Sequence, residues 1–180
     1  ASCRSRRLNA AGAPPPVPSR RERFVRPMTL DDPFKHSSLG SGVFYKDPRA
    51  ALDWLEAAFG FVRSMVVGDA EGKLVHSEMR FGDSYIIVDS EWADYVASPA
   101  SVGGRNTQCV YVRLKDGLDA HCEQARAKGA EIIQEPADQF YGDRGGKFED
   151  PFGHRWWIAT HKEDVPPEEM KRRAAALFGG

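Results

Sequence analysis

The chain has 180 residues, with 25 Lys and Arg against 26 Asp and Glu and a formal net charge of −1. That length makes one domain or two small fused modules with enough chain for a core, and near neutrality argues against nucleic acid as the main partner, because neutralising phosphates requires a basic surplus on one face. No run of about 18 apolar residues offers a membrane span, and three cysteines (Cys3, Cys109, Cys122) without metal-type spacing read as reduced thiols in a cytoplasmic compartment.

Residues 1–27 differ from the rest. Seven arginines face the single acid Glu22, and Pro14-Pro15-Pro16-Val17-Pro18 breaks any helix. Such a segment buries too little apolar surface to offset its ordering entropy. Residues 1–38 are therefore expected to be a disordered or extraneous extension. Its composition overlaps with that of organelle transit peptides, and it also fits translated sequence ahead of a start at Met28.

From Leu39 the chain becomes regular. Val43-Phe44-Tyr45 reads as a strand, and Asp47-Pro48 as the cap and first residue of a helix. Ala51, Leu52, Leu55, Ala58 and Phe59 recur at helical spacing up to Gly60. Phe61 to Val67, Leu74 to Phe81 and Tyr85 to Val88 follow as three strands separated by turns. On the middle strand, Leu74, His76, Glu78 and Arg80 are expected on one face and Val75, Ser77, Met79 and Phe81 on the other.

After a loop over 91–106 the pattern starts again. Cys109 to Leu114 is a predicted strand, and Asp116 the expected cap of a helix with Leu118, Cys122 and Ala125 inward. Strands follow at Glu131-Ile132-Ile133, around Gly145 to Phe148, and from Trp156. Asp47 and Asp116 lie 69 positions apart, as do Gly60 and Gly129. This is an internal repeat of a βαβββ unit, 39–90 and 107–160, and pairing two such units covers one face of each sheet. A helical tail is expected over 161–180, with Glu168 and Glu169 in its first turn.

The most informative stretch is Asp150-Pro151-Phe152-Gly153-His154-Arg155-Trp156-Trp157-Ile158. Asp-Pro-Phe-Gly is a turn signal, and the aromatic run after it leaves as a strand. Alternation gives Trp156 and Trp157 opposite faces, so one serves the core and the other is free to wall a site.

With these motifs in place, the chain resembles the vicinal oxygen chelate superfamily, which comprises glyoxalase I, bleomycin- and fosfomycin-resistance proteins and extradiol dioxygenases. The resemblance runs from about Leu39 to Thr160. Its carriers are Ala50-Ala51-Leu52-Asp53-Trp54-Leu55-Glu56-Ala57-Ala58-Phe59-Gly60, Val75-His76-Ser77-Glu78-Met79, and Tyr141-Gly142-Asp143-Arg144 with the Asp150–Trp156 stretch. Together they are most similar to the PhnB-like branch. The resemblance implies an α+β fold, two βαβββ modules whose curled mixed sheets form a cleft, and a homodimer. Metal-dependent members take ligands at matching positions of both modules, which here hold Gly40, Cys109 (or Val110), Ile86 and Trp157. These do not supply the imidazoles and carboxylates a divalent metal needs, so no metal and no cofactor is expected, and glyoxalase or dioxygenase activity is not inherited.

Two classes of function stay open. As a binding module, the chain would hold a small planar or oxygenated molecule, with Cys109, Tyr111, Tyr141, Arg144, Arg155 and Trp157 as the candidate binding set. As an enzyme, it would be a lyase, isomerase or hydrolase acting on a small oxygenated metabolite, with His76 and Glu78 as acid and base, two strand residues and about 7 Å apart. Structural readings compete at each position. The polar face of β-strand 74–81 is also what a solvated sheet face looks like, Arg144 and Asp143 are also a loop-pinning pair, and His154 beside a turn is most simply structural.

Overall fold

The computed structural model describes residue 37 and residues 39–179. The N-terminal extension, Cys3 and His36 lie outside the described residues. Among the described residues, eight strands and three α-helices follow in the order β1 (Gly40–Tyr45), α1 (Pro48–Phe59), β2 (Val62–Gly68), β3 (Leu74–Phe81), β4 (Ser84–Ser90), β5 (Val110–Leu114), α2 (Leu118–Ala127), β6 (Glu131–Asp138), β7 (Asp143–Glu149), β8 (Arg155–His161) and α3 (Pro167–Phe178), with a short 3-10 turn at Pro99–Val102. They form two four-stranded sheets with the same order, β1-β4-β3-β2 and β5-β8-β7-β6. In each sheet the first pair is parallel and the others are antiparallel. This is the two-module α+β fold expected from the repeat, and the sheets are open rather than closed into barrels.

Helix α1 starts as its sequence dictates. Asp47 accepts a hydrogen bond from Ala50 N at 3.0 Å, and Pro48 takes the first turn, where no N–H is needed. The second helix corrects the matching expectation. Its cap is Gly117, without a side-chain bond, so Asp116 stands one residue too early to cap. Alternation along β3 also breaks at its start. Gly68 pairs with Leu74 while Val67 pairs with His76, so Val75 is an extra residue in a bulge. Leu74 is thereby turned into the core and Val75 into solvent. From His76 onward the expected faces hold: Ser77 and Met79 are buried, and His76, Glu78 and Arg80 lie on the opposite side.

The core lies between the modules. Phe59 at the end of α1 packs edge-on against Trp156 of β8 and Phe148 of β7, with ring centroids 5.2 and 6.2 Å apart. Phe61 also packs against Trp156, with ring centroids 5.8 Å apart. Each such fully buried side chain contributes about 1.5–3 kcal/mol of transfer free energy. Polar bonds cross the same junction, from Trp54 Nε1 to Lys128 O at 2.7 Å and from Gln124 Nε2 to Ala57 O at 3.0 Å. The helices cover one face of each sheet and leave the other face open.

Candidate functional site

A cleft of about 690 Å³ lies where the first strands of the two modules approach each other. One wall is the start of β1 with the β3–β4 turn, and the other is Cys109 with β5 as far as Arg113. Phe61, Phe81, Tyr85 and Tyr111 bring four aromatic rings to its lining. Tyr85 is set by its neighbour: a Cβ on Gly40 would lie 2.4 Å from the Tyr85 ring, so only glycine on β1 lets that ring lie across the strand.

Tyr111 and Arg113 are held from behind by a buried carboxylate. Asp143 accepts from Tyr111 Oη at 2.6 Å, from Arg113 Nη2 at 3.3 Å, and pairs with His161 Nδ1 at 2.9 Å. Burial pushes its pKa up, but the Tyr111 and His161 hydrogen bonds and the Arg113 charge more than offset this and hold it below its ordinary value. Burial, followed by the bond to Asp143, raises the Tyr111 hydroxyl, so Tyr111 is a neutral donor. Arg113 places one bond on Asp143 and keeps a side chain 60% exposed at the cleft.

The open face of the second sheet continues from Tyr111. Its partner in register is Trp157, flanked by Arg155 on the same strand and Lys147 on β7. Trp156 is fully buried on the helix side, so the two tryptophans take the opposite faces that alternation requires. Trp157 lies flat on Gly145, where a Cβ would come within 2.9 Å of the ring. Lys147 Nζ stands 5.7 Å from the centroid. Trp157 Nε1 is buried with no hydrogen-bond partner among the described residues. Arg155 has a carboxylate partner that the sequence reading did not weigh, Glu149 at 2.6 Å across the β7–β8 ladder. Trp157 and Arg155 therefore extend the face beyond the cleft without lining it.

Cys109 lines the cleft as an exposed free thiol, and Cys122 is a buried one. Partial burial raises the Cys109 pKa against the Trp157 backbone hydrogen bond and the charges of Lys147 and Arg155, so the surroundings do not activate this thiol. Arg144 bonds Asp119 at 2.8 Å and Asp138 at 3.5 Å, outside the cleft. Tyr141 packs edge-on with Phe140. His154 bonds Phe44 O at 2.7 Å and lies against Tyr45, the structural role its turn position predicts.

His76 and Glu78 form a separate cluster on the open face of the first sheet. Their side chains are 3.5 Å apart, and Asp89 of β4, which the sequence did not single out, bonds His76 Nδ1 at 3.1 Å. Burial opposes the imidazolium, but Asp89 and then Glu78 more than offset it, and the His76 pKa lies above its ordinary value.

Residues 35–158 match the Glyoxalase/Bleomycin resistance protein/Dioxygenase superfamily. The chain belongs to that superfamily. Uncharacterized proteins of Mycobacterium bovis and Mycobacterium tuberculosis are 28% identical to it over 138 residues, 74% of this chain and 90% and 80% of theirs. Among solved structures, TioX from Micromonospora sp. ML1 is 30% identical with a TM-score of 0.57, covering 69% of this chain and 98% of TioX. TnmS3, an antibiotic binding protein from Streptomyces sp. CB03234, is 17% identical with a TM-score of 0.54, covering 71% of this chain and 100% of TnmS3. FosX, a fosfomycin resistance protein from Listeria monocytogenes, is also 17% identical with a TM-score of 0.54, covering 74% and 97%. The last two likenesses establish the fold.

Within this superfamily member, the register corrects one of the matching positions. Val43 pairs with Val88 and Val112 with Ile158, so Trp157 corresponds to Ile87 on the open face and not to Ile86, which faces the core. The count from the turn glycines slipped because the β3–β4 turn is shorter than the β7–β8 turn. Gly40, Ile87, Cys109 and Trp157 include no imidazole or carboxylate, and among the described residues no group of three His, Cys, Asp or Glu is placed to hold a metal ion. Among the described residues no helix is long and apolar enough to cross a membrane.

Proposed function

We propose that this chain is a metal-independent binding protein of the PhnB-like branch, and that it holds a small planar molecule carrying a carbonyl or anionic oxygen in the cleft between its modules. The observation that carries this is the pairing of a flat ring with a cationic donor at one end of the cleft. Tyr111 is fixed by Asp143, and Arg113 beside it spends one bond on the same carboxylate. A guanidinium has five N–H donors, so several remain for a ligand oxygen. Tyr85 and Phe81 on the facing wall give the planar part an apolar partner. This moves the expected oxygen contact from Arg155, which has Glu149, to Arg113. Cys109 bounds the cleft, and Trp157 extends the stacking surface with an indole donor that an acceptor oxygen would satisfy.

The same reading includes a homodimer. Strand β2 is exposed along its whole length and carries Val62, Met65, Val66 and Val67, an edge that a second copy would cover. Light scattering of the full chain checks this, and a monomer contradicts it.

A thermal-shift screen of planar aromatic carboxylates tests the binding claim. The reading expects hits whose stabilisation is lost in Tyr111→Ala and reduced at least about tenfold in apparent affinity in Arg113→Gln, the effect of one charge-assisted hydrogen bond. Stabilisation unchanged in both variants contradicts it.

A further inference from the structure

On the open face of the first sheet, three ionisable side chains from two strands meet outside the cleft. Asp89 is buried and has both oxygens engaged: Oδ1 accepts from Ser77 N at 2.8 Å, and Oδ2 meets His76 Nδ1 at 3.1 Å. A backbone N–H has only a donor to offer, so Oδ1 is an acceptor. The His76 tautomer with its proton on Nδ1 completes the contact at Oδ2, the arrangement that the Asp89→Asn variant below tests. That leaves Nε2 with the free lone pair of the neutral ring, on a side chain about one-third exposed. Glu78 Oε1 lies 3.5 Å from Nε2, in position to stabilise the imidazolium once Nε2 takes up a proton. The strand holding these groups is anchored by a hydrogen bond from buried Ser77 Oγ to Val88 O.

The surroundings give the cluster a chemical preference. Val67 pairs with His76, Met65 and Ile87 with Glu78, and Phe44 with Asp89, so the neighbouring side chains on β2, β4 and β1 carry no charge. Arg80 is the next ionisable residue along the same face. Two carboxylates against one imidazole and Arg80 leave no surplus of positive charge for an anionic substrate. The apolar rim favours a neutral one.

We propose that His76 Nε2 is a general base, with Asp89 as its positioning residue, that removes a proton from a carbon next to the carbonyl of a small neutral ketone. The C–H bond breaks, the N–H bond forms at Nε2, and the electron pair moves to the carbonyl oxygen. Return of a solvent-derived proton from Nε2 to carbon closes the cycle with no other reactant. The proposal goes beyond the binding reading and does not rest on it, because none of the three residues lines the cleft.

The experiment follows exchange of solvent deuterium into acetophenone and dihydroxyacetone by proton NMR, using the full chain. Wild-type protein is expected to exchange at least one of them at least tenfold faster than His76→Gln. Asp89→Asn separates positioning from folding. Ser77 N retains the amide oxygen, so the amide NH2 faces Nδ1 and forces the proton onto Nε2, the wrong tautomer for a base. Its exchange is expected to fall at least tenfold, while nitrogen-15 shifts of His76 change from the Nδ1-protonated to the Nε2-protonated form. Circular dichroism and the carboxylate thermal shifts of the cleft should stay as in wild type. Wild-type exchange no faster than His76→Gln overturns the proposal, as does an Nε2-protonated neutral ring in wild type.

Discussion

Tyr45 on β1 donates its hydroxyl to Asp150 Oδ2 at 3.0 Å, across 105 residues of chain. The same oxygen accepts from Trp156 Nε1 at 3.1 Å, and Oδ1 accepts from Phe152 N and His154 N. One turn carboxylate thus shapes the β7–β8 turn, orients the core tryptophan and ties the second module to the first. Burial raises the Asp150 pKa against the bonds that favour its charge.

Replacing Asp150 by Ala should therefore be costly. It leaves three buried donors, Tyr45 Oη, Trp156 Nε1 and His154 N, without an acceptor, at about 1–3 kcal/mol each. Chemical denaturation should show a loss of about 3 kcal/mol or more, against about 1 kcal/mol for Tyr45→Phe, which removes one bond and strands no donor. Equal losses in the two variants would contradict this ranking.

The adjacent tryptophans should separate stability from binding. Trp156→Ala empties a site in contact with Phe59 and Phe61 and should cost about 3–5 kcal/mol. Trp157→Ala removes a half-buried ring from the open face and should cost well under half of that, while weakening ligands that extend from Tyr111. Urea titrations of both variants, beside the thermal-shift response of Trp157→Ala, check the assignment of faces.

Much of this was legible in the sequence, because it rests on periodicity. The 69-residue repeat, the Asp47 cap and the opposed faces of Trp156 and Trp157 follow from rules that act within a few residues. The misses have a shared cause. Register is set by bulges and turn lengths, so counting from Gly82 placed Ile86 where Ile87 belongs, and the extra Val75 reversed the faces at the start of β3. Partners from distant strands were also invisible. Glu149 beside Arg155 is six residues away in sequence but directly opposite in the ladder. Asp89 lies 13 residues from His76, and Asp143 lies 32 from Tyr111. Asp89 comes directly after the predicted strand Tyr85 to Val88, which in the structure runs on to Ser90, so an acid continuing that strand was the available signal for a partner of His76.

The Asp143 network gives the protein a defined pH dependence. The bond to Asp143, with Asp164 on the other ring nitrogen, raises the His161 pKa. A raised histidine stabilises the fold fully below its unfolded pKa of about 6.5 and loses that contribution as pH rises through the folded value. Asp143 is held low, so its contribution is present above its unfolded pKa of about 3.9 and is lost as pH falls through the folded value. The melting temperature should decline as pH rises above about 6.5, and His161→Gln should flatten that decline. An unaltered slope in the variant would place the pH dependence elsewhere.

Protein purified without chelator should carry no stoichiometric Zn, Ni, Fe or Mn. Elemental analysis finding about one metal per chain would refute this, and His36, His76 and Glu78 would then be the first candidate ligands.

The most direct measurement for the binding claim is a heteronuclear NMR titration of the full chain with 2-naphthoate, a planar ring system with one carboxylate. The account predicts saturable shift changes concentrated at residues 39–41, 82–86 and 109–113, with the Arg113 side-chain signals among the largest. Shift changes confined to other surfaces, or none up to millimolar ligand for this and the other planar carboxylates of the screen, would contradict it.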